Sequence, residues 1–184
     1  RKCFEIIKKT FQGNYVMFGA FKIYNDTAFL DATNTLLSLL RYISFDDLNA
    51  YSKLKYNVYK FLELLHRNHM SDVFMDLSEY IPLALSLARN GLEADNTEIM
   101  MQSAQIVDHF CTFVYQRTKK ESKETTQILN FITNYPAILP EIMYVIMHIV
   151  LFEDGKSFWV YVKPLFSLIL INPQAFSDCK QQLL

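Results

Sequence analysis

Histidines, thiols and paired carboxylates are the side chains most often used for chemistry, and this chain holds few of them in useful arrangements. His66 and His69 are three residues apart, a spacing that can set two imidazoles on one helix face for a metal ion. A stable site needs at least one more close ligand, and only an acid such as Asp72 is at hand. The expectation is therefore two solvent-facing histidines near a helix end, where they favour the C-terminal dipole. Asp108-His109 reverses the order of the His-Asp pair of metal phosphohydrolases and lacks their flanking histidine and aspartate. A surface or half-buried helical position is expected for it. Cys3, Cys111 and Cys179 are odd in number, widely spaced and form no CxxC, which fits a reducing cytosolic or nuclear setting. Cys111 falls on the apolar side of its helix and reads as core. The carboxylate pairs Asp46-Asp47 and Glu153-Asp154 lie at helix starts and loops, where they favour a helix N-terminus. Signatures of the GxSxG, Walker A, GxGxxG and HExxH kinds are absent. No catalytic, metal or cofactor site is expected. The enzymatic rival would be a metal-dependent hydrolase built on His66, His69 and Asp108.

Charge excludes further classes. The 18 basic and 19 acidic residues leave a net charge of −1, so no global field recruits nucleic acid or anionic lipid. Arg117, Lys119, Lys120 and Lys123 make the only local basic run, and Glu121 and Glu124 interrupt it. It reads as a solvated loop. The longest apolar run, 142–152, contains His148 and is far short of the roughly 20 residues that span a bilayer. At 51% hydrophobic residues, the chain can bury a core and is far too apolar for disorder. With 4 glycines and 5 prolines it lacks the frequent turns of an all-β sandwich.

The elements that must position these residues read with helical period. Phe4, Ile7 and Phe11 stripe a first helix. Asp26 or Thr27 can cap a second, with Phe29, Leu30, Leu36, Leu37, Leu40 and Ile43 on its apolar side. Ser44 caps a turn into a long helix to about Asn68. A short segment from Met70 gives way near Ser78 to a helix that carries Ile81, Leu85 and Ala88 and stops at Asn90-Gly91. Asn96 or Thr97 opens another long helix to about Arg117, and 117–126 reads as a linker. Helical signal resumes over 128–135 and 136–152, breaks at Asp154-Gly155, and returns over 157–171 and from Pro173 onward.

Long helices thus begin at intervals of about 45 to 60 residues, near the upper end of the ~40–47 of HEAT helix pairs. One pair cannot bury its apolar face alone, so the pairs are expected to stack. The resulting fold class is all-α: a superhelix of HEAT-like, armadillo-type repeats, about three to four helix pairs, with 1–184 as one segment of a longer solenoid. An ordinary bundle of six or seven helices is the alternative. In stacked pairs one row of helices lines the concave surface that solenoids use for partners. If that row is the second helix of each pair, the exposed candidates for protein binding are Asp31, Asn34, Ser38, Arg41, Arg89, Asn90, Glu141 and His148.

Two blocks carry a family resemblance. One is Phe152-Glu153-Asp154-Gly155, Trp159, Pro164-Leu165, Leu168-Ile169-Leu170-Ile171-Asn172 and Phe176-Ser177-Asp178. The other is Gly13-Asn14-Tyr15-Val16 with Phe18-Gly19 and Phe21. Together with Asp47-Leu48, His69-Met70 and Asp108-His109 they resemble the exportin seven and Ran-binding protein sixteen and seventeen branch of the importin-β superfamily, near its C-terminal end. Ser103 to Val107 and the linker after Arg117 depart from that pattern. The resemblance implies a non-enzymatic nucleocytoplasmic transport receptor that shuttles between cytoplasm and nucleus. Its partners would be a protein cargo and Ran-GTP, with the main Ran contacts in other regions of the full-length chain. Nucleoporin contacts are left open, and neither nucleic acid nor membrane insertion is implied. The rival reading is a free-standing helical interaction scaffold unrelated to transport.

Overall fold

A computed structural model describes residues 1–12, 16–119, 123–153 and 158–183, leaving the side chain of Lys22 aside. Gly13-Asn14-Tyr15, Lys120, Glu121, Asp154-Gly155, Ser157 and Leu184 lie outside the described residues. Among the described residues there is no strand, and twelve α-helices follow in order. They are α1 (Lys2–Gln12), α2 (Phe18–Ile23), α3 (Ala28–Leu40), α4 (Phe45–Ala50), α5 (Ser52–Asn68), α6 (Met70–Asp76), α7 (Ile81–Leu92), α8 (Thr97–Arg117), α9 (Lys123–Asn134), α10 (Ile138–Phe152), α11 (Trp159–Ile171) and α12 (Pro173–Leu183). A 3-10 turn (Ser78–Tyr80) leads into α7.

Two rows organise them. In one, α1 packs on α5, α5 on α8 and α8 on α11. In the other, α7 packs on α10 and α10 on α12, while side-chain bonds tie α3 to the turn before α7. Contacts of α7 with α8, α10 with α11 and α11 with α12 join the rows. The described residues therefore form an all-α helical-repeat array of two rows, α1, α5, α8, α11 and α3, α7, α10, α12. One apolar layer runs between the rows, from Phe4 and Phe61 through Phe74 and Phe110 to Ile146 and Leu168. Helices of both rows turn apolar stripes into this layer.

The caps follow side-chain chemistry. Ser44 accepts from the Asp47 amide at 3.0 Å, and Asn96 accepts from Glu98 and Ile99 at 3.0 and 3.1 Å, satisfying donors that a helix start leaves free. At α3 the side chain that bonds is Asp26, which accepts from the Ala28 amide at 2.8 Å. The turn that Ser44 caps is the short helix α4, and Tyr51, whose φ of −117° and ψ of 84° are not helical, divides it from the long helix that ends at Asn68 as expected. Two expectations need correction. Asn90-Gly91 does not stop α7, which continues to Leu92. Gly91 is there for close approach, since a Cβ would lie 2.1 Å from Ser103 Oγ and 2.4 Å from the Tyr59 ring. The linker expected over 117–126 is shorter, because α9 already begins at Lys123. Ser71 donates to Glu124, and Arg117 pairs with Glu124 at 3.1 Å, holding α6, α8 and α9 together.

Among the described residues no single helix is long and apolar enough to cross a membrane. The bent pair α9 and α10, 71° apart, passes by length and composition. Most of the apolar residues of α10 are in the core, among them Ile142, Met143, Ile146 and Ile149.

Candidate protein-binding surface

The eight polar residues expected on one face all belong to α3, α7 and α10 or the turn after α3, so the second row carries them. The structure gathers them unevenly. At the first pair, Tyr80 is a hub. Its hydroxyl donates to Asn34 Oδ1 at 2.8 Å. The same hydroxyl lies 2.8 Å from Ser38 Oγ, and since its proton is committed to Asn34, Ser38 is the donor there. Arg41 donates to Glu79 at 2.9 Å and its guanidinium sits 4.3 Å from the centre of the Tyr80 ring. The Glu79 hydrogen bond holds the Arg41 pKa above its usual value. Asn34, Ser38 and Arg41 thus come together as a clasp between repeats, with only part of their polar surface left for a partner. Asp31 stands apart at the start of α3, where Thr27 Oγ1 donates to it at 2.8 Å.

Arg89 and Glu141 meet across a groove of about 570 Å³ between α7, α10 and α12, which Tyr144 and Asp178 also line. Arg89 donates to Asn90 at 3.1 Å, and its Nε is buried without a hydrogen-bond partner. Asn90 turns to a second groove of about 200 Å³, walled by Leu40, Phe45 and Leu87. His148 is exposed on α10, with its ring centre 6.3 Å from Tyr144 and 5.2 Å from Phe152. Tyr144, His148 and Phe152 make an outward aromatic ladder at four-residue steps. That spacing is legible in the sequence. The participation of Glu79, Tyr80 and Asp178 is not, because they come from elements far along the chain.

The residues tested for chemistry take structural places. His66 is not solvent-facing: it is 2% exposed. Its Nδ1 is 2.8 Å from the Leu62 carbonyl and therefore carries the proton, while burial lowers its pKa to about 4. His69 is half-buried instead of solvent-facing. It lies 3.4 Å from Asp72 and is ringed by Phe29, Phe18 and Phe11 at centroid distances of 4.5, 5.0 and 5.2 Å. Phe11, Phe18 and Phe29 of α1, α2 and α3 converge on the turn after α5 and cover His69, while His66 lies near His109 of α8. Asp108 accepts from Ser167 of α11 at 2.7 Å. His109 is half-buried, with its pKa lowered by burial against the opposing pull of Glu63. Glu63, wholly buried, is held by Lys60, Arg67 and His109 at 2.7, 3.2 and 3.8 Å. Cys111 is buried, and that burial pushes its thiol pKa up, opposing a nucleophilic thiolate. Among the described residues, no three His, Cys, Asp or Glu side chains cluster to hold a metal ion.

What remains is an array whose outward surface carries polar stripes, shallow grooves and exposed aromatics, the kind of surface that binds other proteins. Comparison with known proteins then identifies its relatives. Over 98% of this chain, Exportin-7-B of Xenopus laevis is 30% identical across 189 residues. The chain matches the exportin-7 and Ran-binding protein 16/17 family. Ran-binding protein 17 of Homo sapiens is 31% identical over 99% of the chain, and Exportin-7 of Dictyostelium discoideum 25% identical over 92%. The chain spans only 17% of the length of the two exportins and 18% of that of Ran-binding protein 17. No family model matches the chain, and no solved structure matches it.

Proposed function

We propose that residues 1–184 are a non-enzymatic segment of an exportin-like nucleocytoplasmic transport receptor that shuttles between nucleus and cytoplasm. In this reading the segment is a protein-binding scaffold, and the full-length receptor binds cargo together with Ran-GTP. The supporting observation is the match over nearly the whole chain to proteins named as exportins and as Ran-binding. The geometry supports it in kind: a stacked array offers a long surface and can bend between repeats, while His66, His69 and Cys111 serve packing. Cargo would meet the second row, through Arg89, Asn90, Glu141 and His148 around the two grooves, and through the outward parts of Asp31, Asn34, Ser38 and Arg41. Ran would bind elsewhere in the receptor, with coupling carried by bending of the array, because each repeat touches only its neighbours.

Pull-down with full-length protein tests this. Ran loaded with GTP should be retained, Ran loaded with GDP should not, and cargo recovery should rise with Ran-GTP. Residues 1–184 alone should retain Ran-GTP weakly or not at all. Tight, nucleotide-dependent binding of Ran by the segment alone would show that the interface is wrongly placed. Equal retention of both nucleotide forms by the full-length protein would remove the transport reading.

A further inference from the structure

The two edges of the first row differ in chemistry. In that row α5 is covered by α1 and α8, and α8 by α5 and α11, while α1 and α11 each have a single neighbour in the row. The outward residues of α1 include Lys2, Lys9 and Gln12, with Glu5 paired to Lys9 at 3.7 Å, and Ile6 is the one large apolar side chain exposed there. Water suits that edge. The sequence of α11, WVYVKPLFSLILI, has polar side chains only at Lys163 and Ser167, and Ser167 is bonded to Asp108 of α8. Tyr161, Pro164 and Leu168 are buried in the stack. Around the rest of the helix Trp159, Val162, Phe166 and Leu170 follow at steps of three and four residues, and are 86%, 54%, 62% and 42% exposed. Apart from Lys163 the exposed side of α11 is apolar, and contiguous apolar surface of this kind marks an interface.

We infer that the Trp159, Val162, Phe166 and Leu170 face of α11 is covered by a further helix of the same polypeptide, lying outside residues 1–184. This inference rests on the reading of the chain as one segment of a longer receptor, and it names the edge at which further structure packs. Three observations choose the occupant. The relatives are more than five times as long as the matched region, so a receptor of that length has further chain outside it. The first row already repeats one mode of packing three times, and α11 continues it. Lys163 is the single charge beside the stripe, so the stripe fits the apolar face of an amphipathic helix.

The test is thiol labelling of the full-length native protein bearing Val162→Cys or Phe166→Cys. Tyr42→Cys is the comparator, since Tyr42 is 87% exposed and distant from α11. Labelling at 162 and 166 at least tenfold slower than at 42, unchanged on dilution, supports the inference, and any smaller difference overturns it. Protection that disappears on dilution would assign the face to a second copy and overturn it too. A photo-crosslinker placed at 166 identifies the cover directly: a link to a peptide of the same polypeptide outside residues 1–184 is expected. A link to another protein, or to α11 of another copy, would defeat the proposal. If the substituted proteins fold poorly, hydroxyl-radical oxidation of Trp159 and Phe166 in the unsubstituted full-length protein decides the same question, protection of both side chains being expected and full reactivity fatal. None of these measurements involves Ran or cargo, so the pull-downs can fail while the labelling succeeds, and the reverse.

Discussion

His66 occupies a place that only its neutral form tolerates. Burial lowers its pKa to about 4 against an ordinary value of 6.5, and its Nε2 has no partner. The unfolded chain therefore takes up a proton first as pH falls. Stability from this site is complete above about pH 6.5 and is lost progressively toward pH 4. The full shift corresponds to on the order of 3 kcal/mol. His109, also lowered by burial, acts in the same direction. The expected outcome is a urea midpoint that falls between pH 6.5 and pH 4.5 in the unsubstituted protein and falls distinctly less in His66→Met. Equal losses in the two proteins would show that His66 is not the group involved. The sequence did hold a hint of this burial. His66 follows Leu62 by four residues and Val58 by eight, so it lies in the apolar stripe of α5. A histidine in such a stripe is core when the next repeat covers it, and that cover comes from chain far away. Cys111 was legible for the complementary reason, since its own helix surrounds it with apolar neighbours.

At the scale of elements, hydrogen bonds from tyrosines fasten helices that packing alone would leave free to slide. Tyr161 of α11 donates to the Leu92 carbonyl at 2.9 Å, satisfying an acceptor that the end of α7 leaves unpaired, and Tyr59 of α5 donates to Leu87 at 2.8 Å. Tyr80 does the same work for α3 through Asn34 and Ser38. Tyr80→Phe should lower stability by about 1–2 kcal/mol, because it removes two partly buried hydrogen bonds while keeping the ring under Arg41. Asn34→Ala in the Tyr80→Phe background should cost clearly less than in the unsubstituted protein. Additive losses in denaturant titrations of the two single variants and the double variant would mean that the pair is not coupled. Helix periods and the caps at Ser44 and Asn96 were readable, because each depends on residues within one or two turns. The break at Tyr51, the continuation of α7 through Gly91 and the Tyr80 hub were not. Each of these depends on what a distant element presses against the site.

For the whole molecule, the two-row stack predicts that damage spreads according to position. Phe4 anchors α1 against Phe61 of α5 at the edge, with ring centres 5.7 Å apart. Phe110 sits in the middle of α8, packed between Phe74 and Phe131 at 5.7 and 5.6 Å. Both are buried, and truncation of either to alanine should remove roughly 3–5 kcal/mol of local packing. In an array whose units touch only their neighbours, the consequences differ. Phe4→Ala should let α1 through α3 open while leaving α8 and α11 closed, since the α5–α8 and α8–α11 contacts do not involve α1. Phe110→Ala strikes the helix that contacts α5, α7 and α11, so opening should spread to both sides. Native-state hydrogen exchange, resolved by peptide, separates these outcomes. Faster exchange confined to residues 2–40 for Phe4→Ala, and spread across α5, α7, α8 and α11 for Phe110→Ala, is the signature of a linear array. A single cooperative core would instead raise exchange everywhere for both variants. That result would contradict the independence of repeats on which bending, and with it any long-range coupling between cargo and Ran, depends.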